Sequence, residues 1–98
     1  MEIKHISAEG RGHFAAIEDN AEAGSIHYTT AGTNMIISHT EVAEEWEGKG
    51  VGKQLVEATV LHARSAGWQI IPLCTFALAV LKRNPQWQDV VAPAYRQA

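Results

Sequence analysis

The residues of this chain best suited to chemistry gather first in one short stretch, EGKGVGKQLV, Glu47 to Val56. Gly48, Gly50 and Gly52 stand there within five residues and open into apolar, helix-like sequence. Glycine inside an element costs roughly 0.5–1 kcal/mol relative to alanine, so three in a row call for a reason. A helix starting near Val51 leaves its first four N–H groups unpaired, and its N-terminal end carries partial positive charge. Glycines let that backbone approach an anion with no Cβ in the way. Lys49 and Lys53 add formal positive charge. Together these make a cradle suited to a pyrophosphate; the plainer alternative is a Gly-rich strand-to-helix turn with no ligand. Two better-known phosphate motifs fail. The P-loop needs four residues between its glycine and Gly-Lys, whereas three lie between Gly48 and Gly52-Lys53, and Gln54 stands where Ser or Thr is required. The dinucleotide fingerprint is G-x-G-x-x-G, and the spacing here is G-x-G-x-G.

The elements around this stretch follow from periodicity. IKHISA and GHFAAIED read as two strands, NAEAG (Asn20 to Gly24) as a turn, SIHYTT as a third strand, AGT as a tight turn and NMIISHTEVA as a longer fourth strand. Four strands with short loops predict an antiparallel meander. From Val51 to about Ala66, Val51, Leu55, Val56, Thr59, Val60 and Ala63 recur at helical spacing, and Gly67 sits where a helix C-terminal glycine belongs. WQIIPLC is a short strand, so strand, helix and strand predict a βαβ unit with the last strand parallel to the fourth. FALAVLKRN is a second helix stopped by Asn84-Pro85, and the tail is expected to form one more turn and then fray. Pro72 removes a ladder donor, which makes sense where the last strand leaves its neighbour. The two strands then splay and open a cleft between their C-terminal ends, where ligands of parallel pairs bind.

Composition narrows the classes. Ninety-eight residues, 46% of them hydrophobic, make one domain, residues 1–98, with a single core. A formal charge of −3 without a basic stripe argues against a nucleic-acid partner. No run of about 18 apolar residues predicts a membrane span, and the N-terminus lacks the apolar centre of a signal peptide. The single cysteine, Cys74, forms no internal disulfide and fits a reducing compartment; a soluble cytoplasmic domain is the expectation. The five histidines are spread along the chain with no zinc-like spacing, so no metal is expected.

Four strands, then EGKGVGKQLVEATVLHAR, then a strand and a helix, resembles the GNAT N-acetyltransferase superfamily. Its hallmark is Gln/Arg-x-x-Gly-x-Gly/Ala at the start of the helix after the fourth strand. Gly50 and Gly52 fall on the two small positions, and Glu47 on the Gln/Arg position, which is a departure. HTEV, GKGVG and IIPLCTF…LKRNPQW, across Ile26 to Val91, resemble a very small GNAT-like family of about a hundred residues. The resemblance implies an α/β GNAT-like fold: a meander, a βαβ unit with splayed parallel strands, and a C-terminal helix. It implies acetyl-coenzyme A lying between the splayed strands, its pantetheine paired with the edge of the fourth strand. The residues implied in binding it are Val42, Gly48, Lys49, Gly50, Val51, Gly52 and Lys53, with Asn84 after the second helix walling the pocket.

Within that frame Cys74, where the acyl group should arrive, is an acetyl-accepting nucleophile, a thiol that protonates the leaving thiolate, or a small buried apolar residue. His39, late in the fourth strand, is a general base with an ordinary pKa of about 6.5, or a hydrogen-bonded strand histidine. Glu41 shares its face if the strand is regular and is the alternative base; a bulge there would flip this parity. Glu44, Glu45 and Glu47 form an acidic approach for a cationic acceptor, or a solvated loop. Trp46, Trp68 and Trp87 read as core or rim residues. The expected function is acetyl transfer from acetyl-coenzyme A to an amine or protein lysine, by a monomer or weak dimer. The alternatives are a non-catalytic acyl-coenzyme A-binding module, since the chain lacks the N-terminal helices of larger GNAT enzymes, and a structural interaction domain that binds no coenzyme.

Overall fold

A computed structural model describes residues 1–96. Strands β1 (Glu2–Ala8), β2 (Arg11–Glu18), β3 (Ala21–Ala31) and β4 (Asn34–Val42) form the meander; β1 is largely exposed, and the middles of β2 and β3 are buried. Helix α1 (Val51–Ala66) then leads to β5 (Gln69–Pro72), and α2 (Thr75–Lys82) closes the unit. The sheet order is β1-β2-β3-β4-β5, antiparallel up to β4 and parallel between β4 and β5. This is the expected α/β architecture.

Three two-residue hairpins make the meander, the first through Glu9 and Gly10, at φ 78°. Asp19 and Asn20 take left-handed φ values of 51° and 63°, a conformation that short Asx side chains tolerate. The turn is therefore two residues long, and β3 starts at Ala21, four residues before the predicted strand. The rest of the predicted NAEAG turn is strand, with a bulge that leaves Ala23 without a partner on β2. The β3–β4 hairpin turns through Gly32, at φ 62°, and Thr33.

Helix α1 buries Val51, Leu55, Val56, Thr59, Val60 and Ala63 along one stripe against Phe14, Ile26, Tyr28, Met35, Ile37 and Ile70 of the sheet. It ends at Gly67, whose φ of 74° lets its own N–H and that of Trp68 cap the last carbonyls. Helix α2 packs beside α1 through Ala77, Val80 and Leu81. The tail departs from the expectation of fraying. Trp87, Val90 and Val91 are buried, and Val91 forms a parallel bridge with Ile70, reinforced by Ala92 N–H bonding the Ile70 carbonyl at 2.8 Å. Arg64 of α1 clamps this segment with two bonds to Asp89, 2.9 and 2.6 Å long. No helix among the described residues is long and apolar enough to cross a membrane.

The histidines, dispersed in sequence, meet in space. His13, His27 and His39 occupy matched positions on β2, β3 and β4, with ring centroids 4.9 and 6.0 Å apart. They lie on the sheet face opposite Ile26 and Tyr28, because side chains alternate along a strand. His5 stacks on Phe14 at 4.2 Å, meets His62 at 4.4 Å and bonds the Tyr28 hydroxyl at 2.6 Å. Burial first, then the charges of His62 and His13, hold His5 below the ordinary imidazole pKa. Burial and then His13 and His39 do the same for His27, against the opposite pull of Glu41 and Glu22. A lowered folded-state pKa means the unfolded chain binds more protons. Stability is then full above the unfolded value of about 6.5 and falls as pH drops through it. Denaturant midpoints should decline from pH 7.5 to pH 5.5, and His27→Gln should flatten part of the decline; a flat profile in the parent protein would refute this.

Candidate functional site

The three glycines have two different reasons. Gly48 and Gly50 hold φ at 76° and 80°, and a Cβ at either would meet nothing within 4 Å, so their requirement is conformational. Gly50 is the residue before α1, and its carbonyl takes the first helical bond from Gln54 N–H at 3.1 Å. The N–H groups of Val51, Gly52 and Lys53 thus lack helical partners. Gly52 is different: a Cβ there would stand 2.3 Å from Cζ of Phe76. It permits close approach of α1 and α2.

Around this turn lies a hollow of about 560 Å³. Thr40 and Val42 of β4 form one wall; Trp46, Glu47, Gly48 and Gly50 form the loop rim; Val51, Gly52 and Lys53 open α1; Phe76, Val80 and Arg83 follow one face of α2. Lys49 stands outside this lining, with its ammonium 5.3 Å from the centre of the Trp46 ring. Glu47 is the only carboxylate in the lining, which also holds Lys53 and Arg83.

The hollow meets the place where the sheet comes apart. Pairing of β4 with β5 ends at Ile37–Pro72, and the N–H groups of Leu73 and Cys74 both turn back to the Ile37 carbonyl, at 3.0 and 3.2 Å. Beyond it β4 continues to Val42 with that edge unpaired. A bulge at Ser38 shifts the register with β3, since Ile37 pairs with Tyr28 but His39 with His27. Ala43 N–H bonds Ala23 on the β3 side, so alternation turns the N–H groups of Val42 and Thr40 toward the free edge.

Cys74 caps the start of α2, half-buried, and its thiol donates to Thr40 Oγ1 at 3.4 Å. His39 and Glu41 share the opposite, exposed face of β4, with Nε2 and Oε1 2.8 Å apart. The bulge precedes both, so it leaves their common face intact. The hydrogen bond from His39, then its charge, holds the Glu41 carboxyl below the usual carboxylate range. A second, shallow hollow of about 510 Å³ lies along Glu22, Gly24, Glu41 and Ala43 and shares Thr40 and Val42 with the first. Among the described residues no group of three or more His, Cys, Asp or Glu side chains is arranged to hold a metal ion.

Of the residues singled out in the sequence, Val42, Gly48, Gly50, Val51, Gly52 and Lys53 line one hollow. Asn84 stands elsewhere: it is buried, its amide donates to the Val80 carbonyl at 2.7 Å, and its oxygen accepts from Gln86. Its side chain is spent on ending α2. The sequence reading passed over Thr40, Phe76, Val80 and Arg83. The signal for the last three was their i, i+4, i+7 spacing.

Comparison with known proteins gives a consistent picture. A family profile described as GCN5-related N-acetyl-transferase matches residues 13–90. No curated protein sequence matches the chain. Among solved structures, a GCN5-like protein from Staphylococcus aureus is 37% identical, with a TM-score of 0.69, covering 93% of this chain and 87% of its own. The ribosomal-protein-S18-alanine N-acetyltransferase of Escherichia coli shares the fold at 13% identity and a TM-score of 0.69; 79% of this chain covers 53% of that one. An aminoglycoside N-acetyltransferase solved with coenzyme A shares it at 17% identity and a TM-score of 0.61, over 78% of this chain and 67% of that one.

The two roles of glycine separate experimentally. Gly52→Ala must displace the Phe76 ring and should cost about 1–3 kcal/mol, a penalty that shrinks in a Phe76→Leu background. Gly50→Ala should cost about 1–2 kcal/mol from its left-handed φ alone, whatever stands at position 76. Denaturant midpoints of the single and double variants decide; an undiminished Gly52→Ala penalty in the Phe76→Leu background would remove the ring as the cause.

Proposed function

The chain belongs to the GCN5-related N-acetyltransferase family, and we propose that it transfers an acetyl group from acetyl-coenzyme A to a cationic primary amine, a polyamine or a protein lysine. One observation carries this reading: the glycine turn with its unpaired N–H groups and the unpaired end of β4 open into one hollow. Anion-binding backbone and strand-edge backbone are the two surfaces that a pyrophosphate followed by an amide-bearing pantetheine requires. Gly48, Gly50, Val51, Gly52 and Lys53 hold the pyrophosphate. The free edge at Val42 pairs with the pantetheine amides.

The acceptor comes from the other side of β4, along the shallow hollow with Glu22 and Glu41, whose charges attract an ammonium group. His39, bonded to Glu41, takes the proton from the amine, which must be neutral to attack. The nitrogen attacks the thioester carbonyl, and the N–H of Thr40 at the free edge supports the oxyanion. The C–S bond then breaks, and the Cys74 thiol, beside Thr40, supplies the proton to the leaving thiolate; Cys74 regains a proton from solvent as the His39 imidazolium releases the one it took from the amine. The thiols of donor and acceptor are chemically alike, so this transfer is nearly isoenergetic. The same similarity permits slow acetylation of Cys74 itself when no amine is present.

Calorimetry with coenzyme A and thiol-release assays with an amine and peptide-lysine panel test the proposal. Gly50→Val should abolish coenzyme binding in a folded protein. His39→Ala and Glu41→Ala should lower turnover by about 10²–10⁴-fold and about tenfold or more, respectively, with binding intact. Cys74→Ser should remove any acetyl adduct seen by intact mass. Coenzyme binding without turnover on any amine would favour a non-catalytic binding module.

A further inference from the structure

We propose that Arg83 reads a second, separate phosphate on the ligand of the glycine-loop hollow, so that the site selects the 3′-phosphorylated nucleotide of free coenzyme A and discriminates against thioesters without it. This rests on the coenzyme reading above and specifies which form of the thioester is taken.

The argument begins with partners. Arg64 is committed to Asp89 and the Gln86 carbonyl, and the Nε of Arg96 bonds the Val91 carbonyl. The Arg83 backbone N–H closes α2 on the Ala79 and Val80 carbonyls, but its guanidinium has no hydrogen bond or ion pair to any described residue, and it lines the hollow. Arg83 is the capping residue just after α2, exposed, at φ −83° and ψ −4°. Its neighbours in the lining are apolar, Val80 and Phe76, so no carboxylate neutralises it on its own element. The one acid of the lining, Glu47, belongs to the opposite rim.

Spacing supplies the second part. Phe76 touches the position of Gly52 and so marks the level of the α1 N-terminus. Arg83 lies seven residues farther along the same face, about 10 Å at 1.5 Å per residue. With one anion held at the glycine turn, the guanidinium is left to a second anionic group farther along the same hollow. A ligand that engages both must carry two anionic groups separated by a short spacer. Coenzyme A has that form: a pyrophosphate, then a ribose bearing a monoester phosphate. A phosphopantetheine arm on a carrier protein has a single phosphodiester and no ribose. Guanidinium is suited to the monoester, because its planar fork donates two parallel bonds to phosphate oxygens. Lys53, on the first turn of α1, is a point charge at the level of the pyrophosphate.

The test is calorimetry of the full chain with coenzyme A, 3′-dephospho-coenzyme A and 4′-phosphopantetheine. The parent protein should prefer coenzyme A to the dephospho form by about tenfold or more, as expected for a charge-assisted bidentate contact. Arg83→Gln should erase that preference while leaving the affinity for the dephospho form unchanged, and Arg83→Lys should restore part of it. Thermal melts of both variants confirm folding; the exposed side chain makes no described contact that folding needs. Equal affinity of the parent for both coenzymes, or an undiminished preference in Arg83→Gln, overturns this proposal alone. No binding of any coenzyme by the parent overturns it together with the reading it rests on.

Discussion

The parallel pairing of β4 with β5 ends at Pro72, and the missing proline N–H is not the cause: the N–H groups of Gln69 and Leu73 point to the β4 side, so alternation turns the Pro72 nitrogen to the other side of β5. What ends the ladder is the Ile37 carbonyl, which accepts from Leu73 as a regular rung and from Cys74 as well; the shared acceptor turns the chain away and starts α2. The remainder of the candidate site follows from this departure. It frees the backbone edge of β4 from Ser38 to Val42, brings Cys74 to Thr40, and sets α2 at the distance from α1 that the Gly52–Phe76 approach allows. Restoring the ladder would close the gap and remove both hollows' common wall.

The bulge at Ser38 completes the arrangement. Ahead of it, odd-numbered residues of β4 such as Met35 and Ile37 face the core. Behind it, Thr40 and Val42 take the helix side, while His39 and Glu41 turn to the uncovered face. One extra residue thus converts a core strand into a partition with neutral, edge-presenting residues toward one hollow and a titratable pair toward the other. The imidazole row of His13 and His27 continues that polar face across two more strands. A row of like groups makes the face sensitive to protonation, whereas the helix side is governed by fixed charges and backbone dipoles.

The order of elements was legible in the sequence because it depends on local signals. Alternation marked the strands, the 3.6-residue period marked α1, Gly67 marked its end, and the glycine turn marked its start. What the sequence did not disclose depends on pairing between distant residues. Asn20 to Gly24 looks like one loop by composition, but left-handed Asp19 and Asn20 make the turn and a bulge at Ala23 absorbs the slack. The tail looks polar enough to fray, yet Trp87 and Val91 find the gap beside β5. The histidines looked scattered because strand register, not spacing, assembles them. Asn84 drew attention through its motif, while its neighbour Arg83, on the lining face of α2, did not.

The bridge between Val91 and Ile70 has a bearing on how the molecule behaves in a crowd. A sheet has two outer margins, and each unpaired backbone row is a template on which another chain can crystallise as a further strand. At β5 the returning tail occupies the backbone of Ile70 and shields that margin. The long open margin is therefore β1, seven residues whose side chains include Glu2 and Lys4. Charges of both signs on an open margin oppose uncontrolled stacking by desolvation, while remaining compatible with one partner strand of matching charge order. The tail thus acts as a guard for the side of the sheet nearest the site and leaves any strand exchange to the far side, where it cannot obstruct the splay.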